Sequence, residues 1–246
     1  MGPDERYEMK PDEQHYITKQ LTKVKLDNNT GEIWTYPALH IFHGKLSEKI
    51  IKDVTEHCTN TNTDDAADKL VANIKGTQST LNTNHPLMKE FIDVMMRSAC
   101  TFVDQCQMRS SQKDAKPQRI EIQEIWDVKM KPGDYNPLHM HGTEASQGLS
   151  SICYIKVPDS LHQAEEENIR NSPYKYANKI DGWLKFLWGI SDHYKFDEFA
   201  CPTATYILPR VGDYFIFSKS LNHEVYPFRT NEDRWSVQIN FNCWED

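Results

Sequence analysis

No run in this 246-residue chain approaches the roughly 20 apolar residues that a membrane-spanning helix requires. The opening Met1-Gly2-Pro3-Asp4-Glu5-Arg6 lacks the apolar core of a secretory signal. Pro3 and the acidic residues behind it argue against myristoylation at Gly2. Basic charge is scarce as well. Lys and Arg number 28 against 36 Asp and Glu, which leaves a net charge of −8 and a pI near 5.7. Such a balance gives no general attraction to phosphate backbones, so nonspecific nucleic-acid binding is not favoured, although a local basic groove is compatible with it. None of the six cysteines (Cys58, Cys100, Cys106, Cys153, Cys201, Cys243) forms a Cys-x-x-Cys pair. Neither a zinc ribbon nor a thioredoxin-type site is therefore suggested. Without a secretion signal the thiols read as reduced, mostly small core residues. Internal repeats and low-complexity tracts are missing too.

What is present suffices to fold. Hydrophobic residues make up 38% and aromatics 11%, too much apolar surface for global disorder. The length suits one domain over residues 1–246, with or without a large insertion. Residues 1 to about 30 are polar and charged with little periodicity, and read as a loosely held arm. Ile33, Tyr36, Leu39, Ile41 and Phe42 then predict one or two strands. Ser47 suits the N-cap of a helix whose Ile50, Ile51, Val54 and Cys58 share a face. Residues 59–68, rich in Asn, Thr and Asp, read as loop. Pro86 suits the first turn of a second helix, with Leu87, Phe91, Ile92, Met95, Ala99, Phe102 and Val103 at core-packing spacing.

From Ile120 the period changes to two, and Ile120, Ile122, Trp126, Val128 and Met130 mark a strand. Residues 149–157 are apolar on both faces, which predicts a central strand. Residues 158–201 break the rhythm. They open acidic at Glu165, Glu166 and Glu167 and later carry Trp183, Phe186, Leu187 and Trp188. The segment reads as an insertion with short helices, whose aromatics pack it down or line a cleft. Strands resume over 203–208, 214–217 and 234–241, with a turn at 209–213. The pattern predicts an α+β, mainly β fold: a β-sandwich or jelly roll braced by N-terminal helices.

The chemistry centres on Asn136-Pro137-Leu138-His139-Met140-His141-Gly142. On an extended segment His139 and His141 point to the same side, which is how a strand presents two imidazoles to one metal ion. Alone the motif is short, and two solvated loop histidines would look the same. His223 follows at the end of a predicted strand. In the last strand Arg234, Ser236, Gln238 and Asn240 share one face, and Trp235, Val237, Ile239 and Phe241 share the other. The apolar face can pack on a core while the polar face lines a cavity; an ordinary solvent-facing strand alternates in the same way. The forked donors of Arg234 and the hydroxyl of Ser236 suit a carboxylate. Imidazoles suit first-row metals such as iron, and three protein ligands leave positions open for a chelating co-substrate and oxygen.

These pieces resemble the 2-oxoglutarate/Fe(II)-dependent oxygenases, and more narrowly a group of them found in bacteria and phages. The resemblance covers roughly half the chain, from about Ile122 to Asn242. It rests on Trp126, Gly133-Asp134-Tyr135, His139-Met140-His141 and Leu149-Ser150-Ser151-Ile152-Cys153-Tyr154-Ile155. It continues through Gly212-Asp213-Tyr214-Phe215-Ile216-Phe217, Leu221-Asn222-His223 and Arg234-Trp235-Ser236-Val237-Gln238-Ile239-Asn240, with Gly76-Thr77-Gln78-Ser79 upstream. It implies a double-stranded β-helix (jelly roll, cupin-like) and Fe(II) at His139, His141 and His223. It further implies 2-oxoglutarate held by Arg234 and Ser236 with Tyr154 in contact, and O2 as co-substrate. The wider superfamily has a carboxylate where His141 stands. Three neutral ligands leave Fe(II) one negative charge short; Glu144 swinging in, or one histidine standing outside the ligand set, are the alternatives.

The activity implied is a dioxygenase that releases succinate and CO2 and hydroxylates a C–H bond, the protein's part being to position and shield that chemistry. The group's resemblance to prolyl hydroxylases points to a protein or peptide substrate, with a nucleobase or small molecule as alternatives. Two other readings are a non-catalytic jelly-roll binding module and a three-histidine metalloenzyme without 2-oxoglutarate. The latter leaves Arg234 and Ser236 unexplained. The expected location is the cytoplasm, the host's if the chain is phage-encoded.

Overall fold

The computed structural model describes residues 20–26, 29–36, 39–61, 66, 72–109, 118–142, 144–145, 147–162, 180–189 and 203–245. Helix α1 (Glu48–Asn60) starts where its cap predicts: the Ser47 hydroxyl accepts from the Ile50 amide at 3.4 Å, and Ile50, Val54 and Cys58 are buried. His85 caps a 3-10 turn (Pro86–Met88) that runs into α2 (Lys89–Arg109). No helix among the described residues is long and apolar enough to cross a membrane.

The rest is mainly β. One sheet contains β1 (Gln20–Leu26), β2 (Asn29–Tyr36), β3 (Leu39–Lys45), β4 (Thr77–Thr80), β5 (Gln118–Met130), β7 (Gln147–Lys156), β10 (Asp213–Ser218) and β12 (Arg234–Glu245). The second contains β6 (Asn136–His139), β8 (Leu184–Leu187), β9 (Ala204–Ile207) and β11 (Asn222–Val225). Strand order is β1-β2-β3-β10-β7-β12-β5-β4 in the first and β6-β11-β8-β9 in the second. Pairing is antiparallel in both. The helices pack on one face of the large sheet, where Phe91, Met95 and Ala99 meet Val237, Ile239 and Phe241. The small sheet packs near the other face, where Leu184 and Phe186 join Trp126, Ile152 and Phe217. The β7 strand is central and apolar on both faces, as its sequence predicts.

Three expectations change. Residues 1–30 are not wholly an arm, because 20–26 form β1, which pairs along its length with β2. Its Thr22, Val24 and Leu26 alternate, but too briefly among charged neighbours to stand out; residues 1–19 lie outside the described residues. The 158–201 stretch is not simply a helical insertion. One helical turn at 159–162 is present, but Leu184–Leu187 is β8, a strand between β11 and β9. Leu184 and Phe186 are fully buried between the sheets, and Lys185 on the opposite face pairs with Glu224 at 2.8 Å. Residues 163–179 and 190–202 lie outside the described residues.

The third change is a bulge in β5. Asn240 pairs with Glu124 but Phe241 pairs with Ile122, so Gln123 is the extra residue. The pleat inverts there. Ile120, Ile122 and Ile125 pack toward the helices, whereas Trp126, Val128 and Met130 face the small sheet. A uniform period of two would have put Ile120 and Trp126 on one face.

The inversion also sends Asp127 and Lys129 to the helix side. Asp127 is fully buried and accepts from the Ser79 amide at 3.0 Å. Lys129 lies 3.4 Å from its carboxylate and donates to the Cys58 and Thr61 carbonyls at the end of α1, at 2.6 and 2.7 Å. The Cys58 carbonyl also accepts from the Thr61 amide at 3.3 Å, and the lysine completes the C-terminal cap of the helix. Lys129→Met is expected to lower stability by about 3 kcal/mol, because it strands a buried carboxylate. Urea unfolding measures this, and the double variant with Asp127→Asn should recover part of the loss. A single variant within about 0.5 kcal/mol of the parent would refute the capping role.

Candidate metal centre

His139 ends β6 and His223 lies directly opposite it on β11. The two rings therefore leave the small sheet side by side, with centroids 4.3 Å apart. His141 follows β6 and is held by its own amide, which donates to the Lys219 carbonyl at 2.9 Å. Its Nε2 lies 3.2 Å from His223 Nε2. One nitrogen from each of the three histidines falls within 4.8 Å of the others. Glu144 is exposed and outside this group, and no other such cluster of His, Cys, Asp or Glu occurs among the described residues.

Two of the rings are oriented by backbone. His139 Nδ1 lies 2.6 Å from the Pro137 carbonyl, and His223 Nδ1 lies 3.0 Å from the Leu221 carbonyl. A carbonyl only accepts, so each Nδ1 carries the proton and each Nε2 keeps its lone pair. This is how protein groups orient metal-binding imidazoles. Burial disfavours protonation of all three: His139 is lowered, His141 falls to about 4 and His223 to about 3, with neighbouring rings adding to the last two. All three are therefore neutral near pH 7, as metal ligation requires.

The histidines open onto a cavity of about 220 Å³, whose wall includes Arg234, Ser236, Gln238 and Asn240 from β12. The polar face predicted for this strand therefore lines a cavity, and its apolar face packs on the helices. Arg234 is only 1% exposed. It donates to the Gly182 carbonyl at 2.6 Å and to the Met130 sulfur, while its Nε has no partner among the described residues. No carboxylate forms an ion pair with it among the described residues; Asp134 acts on it from farther away. Ser236 accepts from the Gln238 amide at 2.9 Å. Tyr154 is paired with Ser236 in register and fully buried, and its ring lies 5.9 Å from the Arg234 guanidinium carbon. It is not on the cavity wall, and its hydroxyl has no hydrogen-bond partner among the described residues.

A buried guanidinium without a counter-ion, beside three neutral imidazoles, is a donor set that a metal-chelating carboxylate would complete. The residues present therefore fit iron and 2-oxoglutarate.

Gln78, Glu124 and Lys219 also belong to this region, and the sequence reading assigned none of them a role. Gln78 reaches the cavity from β4. That strand can approach β5 because a Cβ on Gly76 would lie 1.6 Å from the Lys129 carbonyl oxygen, which only glycine avoids. Asp134 holds the same segment by accepting from the Lys75, Gly76 and Lys131 amides at 2.9, 3.1 and 2.8 Å. Gly76 and the Gly133-Asp134 turn thus have structural reasons. Lys219 is 2% exposed and donates to Gln123 and, at 3.1 Å, to Asn242. It ties the β10–β11 turn, and through it His141, to the bulge. A lysine between two serines reads as a solvated turn, so no sequence signal could have found it.

Residues 124–240 match the family model described as "Putative 2OG-Fe(II) oxygenase". No curated protein matches the chain. Similar solved structures include a Pseudomonas putida prolyl-4-hydroxylase, with a TM-score of 0.50 and 12% identity over 83% of this chain and 93% of that one. Another is SnoK, a non-heme alpha-ketoglutarate-dependent carbocyclase from nogalamycin biosynthesis, with a TM-score of 0.50 and 10% identity over 82% and 78%. At these identities the likeness is one of fold.

Proposed function

We propose that the chain, whose residues 124–240 match the 2OG-Fe(II) oxygenase family model, is an oxidoreductase that uses iron and 2-oxoglutarate to hydroxylate a C–H bond of a protein or peptide of the prolyl type. On this reading residues 1–246 form one domain around a double-stranded β-helix made by the two facing sheets. His139, His141 and His223 would hold the metal. Arg234 and Ser236 would take the 2-oxoglutarate carboxylate, with Tyr154 supporting Arg234. The observation that carries this is Arg234: a buried cation without a counter-ion, on the wall of the same cavity as the three imidazoles.

Bound iron would supply the oxidation, in which O2 and 2-oxoglutarate become succinate and CO2 and the second oxygen atom enters the substrate as a hydroxyl. The protein's own part is binding and exclusion. The imidazoles stay neutral, Arg234 fixes one end of the co-substrate, and Trp126, Ile152 and Phe217 present apolar wall that limits water. The peptide reading draws support from Leu138 and Met140, which are 45% and 61% exposed on either side of His139. They offer an apolar rim beside the histidines. The likeness to the carbocyclase supports a small-molecule substrate as the second reading.

The test is an anaerobic titration. Fe(II) followed by 2-oxoglutarate should produce a visible charge-transfer absorption, and admission of air should yield succinate. Folded protein that shows neither would overturn the proposal. Adding a pool of proline-containing peptides should raise succinate yield and leave peptides one oxygen heavier; stimulation by small molecules alone would favour the second reading.

A further inference from the structure

A centre of three neutral imidazoles lacks the negative charge that a carboxylate ligand gives, and the cavity around it holds a cation in Arg234. Among the described residues Glu124 is the only acidic residue on the cavity wall. The bulge at Gln123 puts it there, since it makes Glu124 the partner of Asn240 on the cavity face. Asn240 is 3% exposed. Its Nδ2 donates to Glu124 Oε1 at 2.7 Å, and the same nitrogen lies 3.4 Å from His141 Nδ1. The second nearby cation, Lys219, bonds only neutral amide oxygens through its side chain among the described residues, and Glu124 and Glu144 act on it from farther off. Glu144 is exposed and screened by solvent, whereas Glu124 is half-buried.

Resting on the reading of this cavity as a metal centre, we propose that Glu124, held by Asn240 on the cavity wall, supplies from just outside the ligand set the negative charge the three histidines lack. Asn240 holds the carboxylate at a set place, and the charge stabilises a dication on the imidazoles. Groups that orient and charge ligating histidines from behind typically change metal affinity by about 10–100-fold. The Asn240 amide is a donor, so it fixes the carboxylate and takes no ring proton from His141, and Glu124 acts by its charge alone.

The variant Glu124→Gln isolates the charge, because a glutamine oxygen can still accept from Asn240. Fe(II) affinity is measured without oxygen by competition against a chromophoric chelator. It should weaken by about 10-fold, while the melting temperature of the metal-free protein stays unchanged. The Fe(III)/Fe(II) potential should move upward, since loss of a negative charge disfavours the more highly charged ion. A merely structural role would change the melting temperature and leave the potential alone. The double variant Glu124→Gln/Asn240→Asp returns one negative charge next to His141 and should restore the affinity. Asn240→Asp alone should tighten Fe(II) binding, which keeps the test decisive if Glu124→Gln does not fold. Wild-type affinity and potential in Glu124→Gln, or no gain in Asn240→Asp, would overturn the inference. Wild-type protein that binds no Fe(II) would instead overturn the reading of the cavity on which it rests.

Discussion

Replacing His223 by alanine is expected to cut Fe(II)-dependent succinate formation on the order of 100-fold or more, with the fold intact. The reasoning starts from β11. His223 sits in the middle of the small sheet, paired with His139 on one side and Phe186 on the other, and it is 6% exposed. Alanine keeps the backbone ladder, so the strand should persist. What is lost is the imidazole whose Nδ1 the Leu221 carbonyl orients and whose Nε2 keeps the lone pair that a metal would take. The remaining two histidines lie on one short segment and cannot enclose an ion from the β11 side. Succinate is measured under Fe(II) saturation, alongside chelator competition for the metal. Equal turnover in wild type and variant would sink the assignment of the metal site.

Arg234→Met should separate binding of the co-substrate from stability. In the free protein Arg234 is a buried cation without an anion, so an apolar chain of similar length should leave stability within about 1 kcal/mol, or raise it. Affinity for 2-oxoglutarate should fall by about 3 kcal/mol, on the order of 100-fold, because a charge-assisted carboxylate pair is lost. Fe(II) affinity measured without 2-oxoglutarate should not change. The two effects differ in sign or size, which a general loss of structure cannot imitate. The titration of charge-transfer absorption against 2-oxoglutarate reads the affinity, and urea unfolding reads the stability. Unaltered 2-oxoglutarate affinity would remove Arg234 from the site.

Much of this arrangement was legible in the chain because it is local. Two histidines at a spacing of two share a side on any extended segment, and the polar face of β12 follows from its alternation alone. The α1 cap and the apolar stripe of α2 are likewise matters of spacing within a few residues. Other features were not legible. β1 is short and charged, and its strand character comes from pairing with β2 rather than from its own composition. β8 was hidden in a stretch whose aromatics suit a helix as well as a strand. Only its burial between β11 and β9 selects the strand.

The remaining residues were invisible for a sharper reason. Glu124 reads as one charge in an alternating strand, and Lys219 as one lysine in a turn. Both acquire their places from a single extra residue, Gln123, which inverts the pleat of β5 and turns Glu124 to the cavity while accepting from Lys219. A bulge is set by register between two strands more than 100 residues apart in sequence, and neither strand encodes it alone. The chain by itself determined which side chains could serve as ligands and clamp, because those depend on residue type and near-neighbour spacing. Tertiary structure decided that His139, His141 and His223 meet and that Arg234 is buried without a counter-ion among the described residues. It also decided that Glu124 stands on the wall of their cavity, because each of these is a distance across strands that sequence separation leaves open.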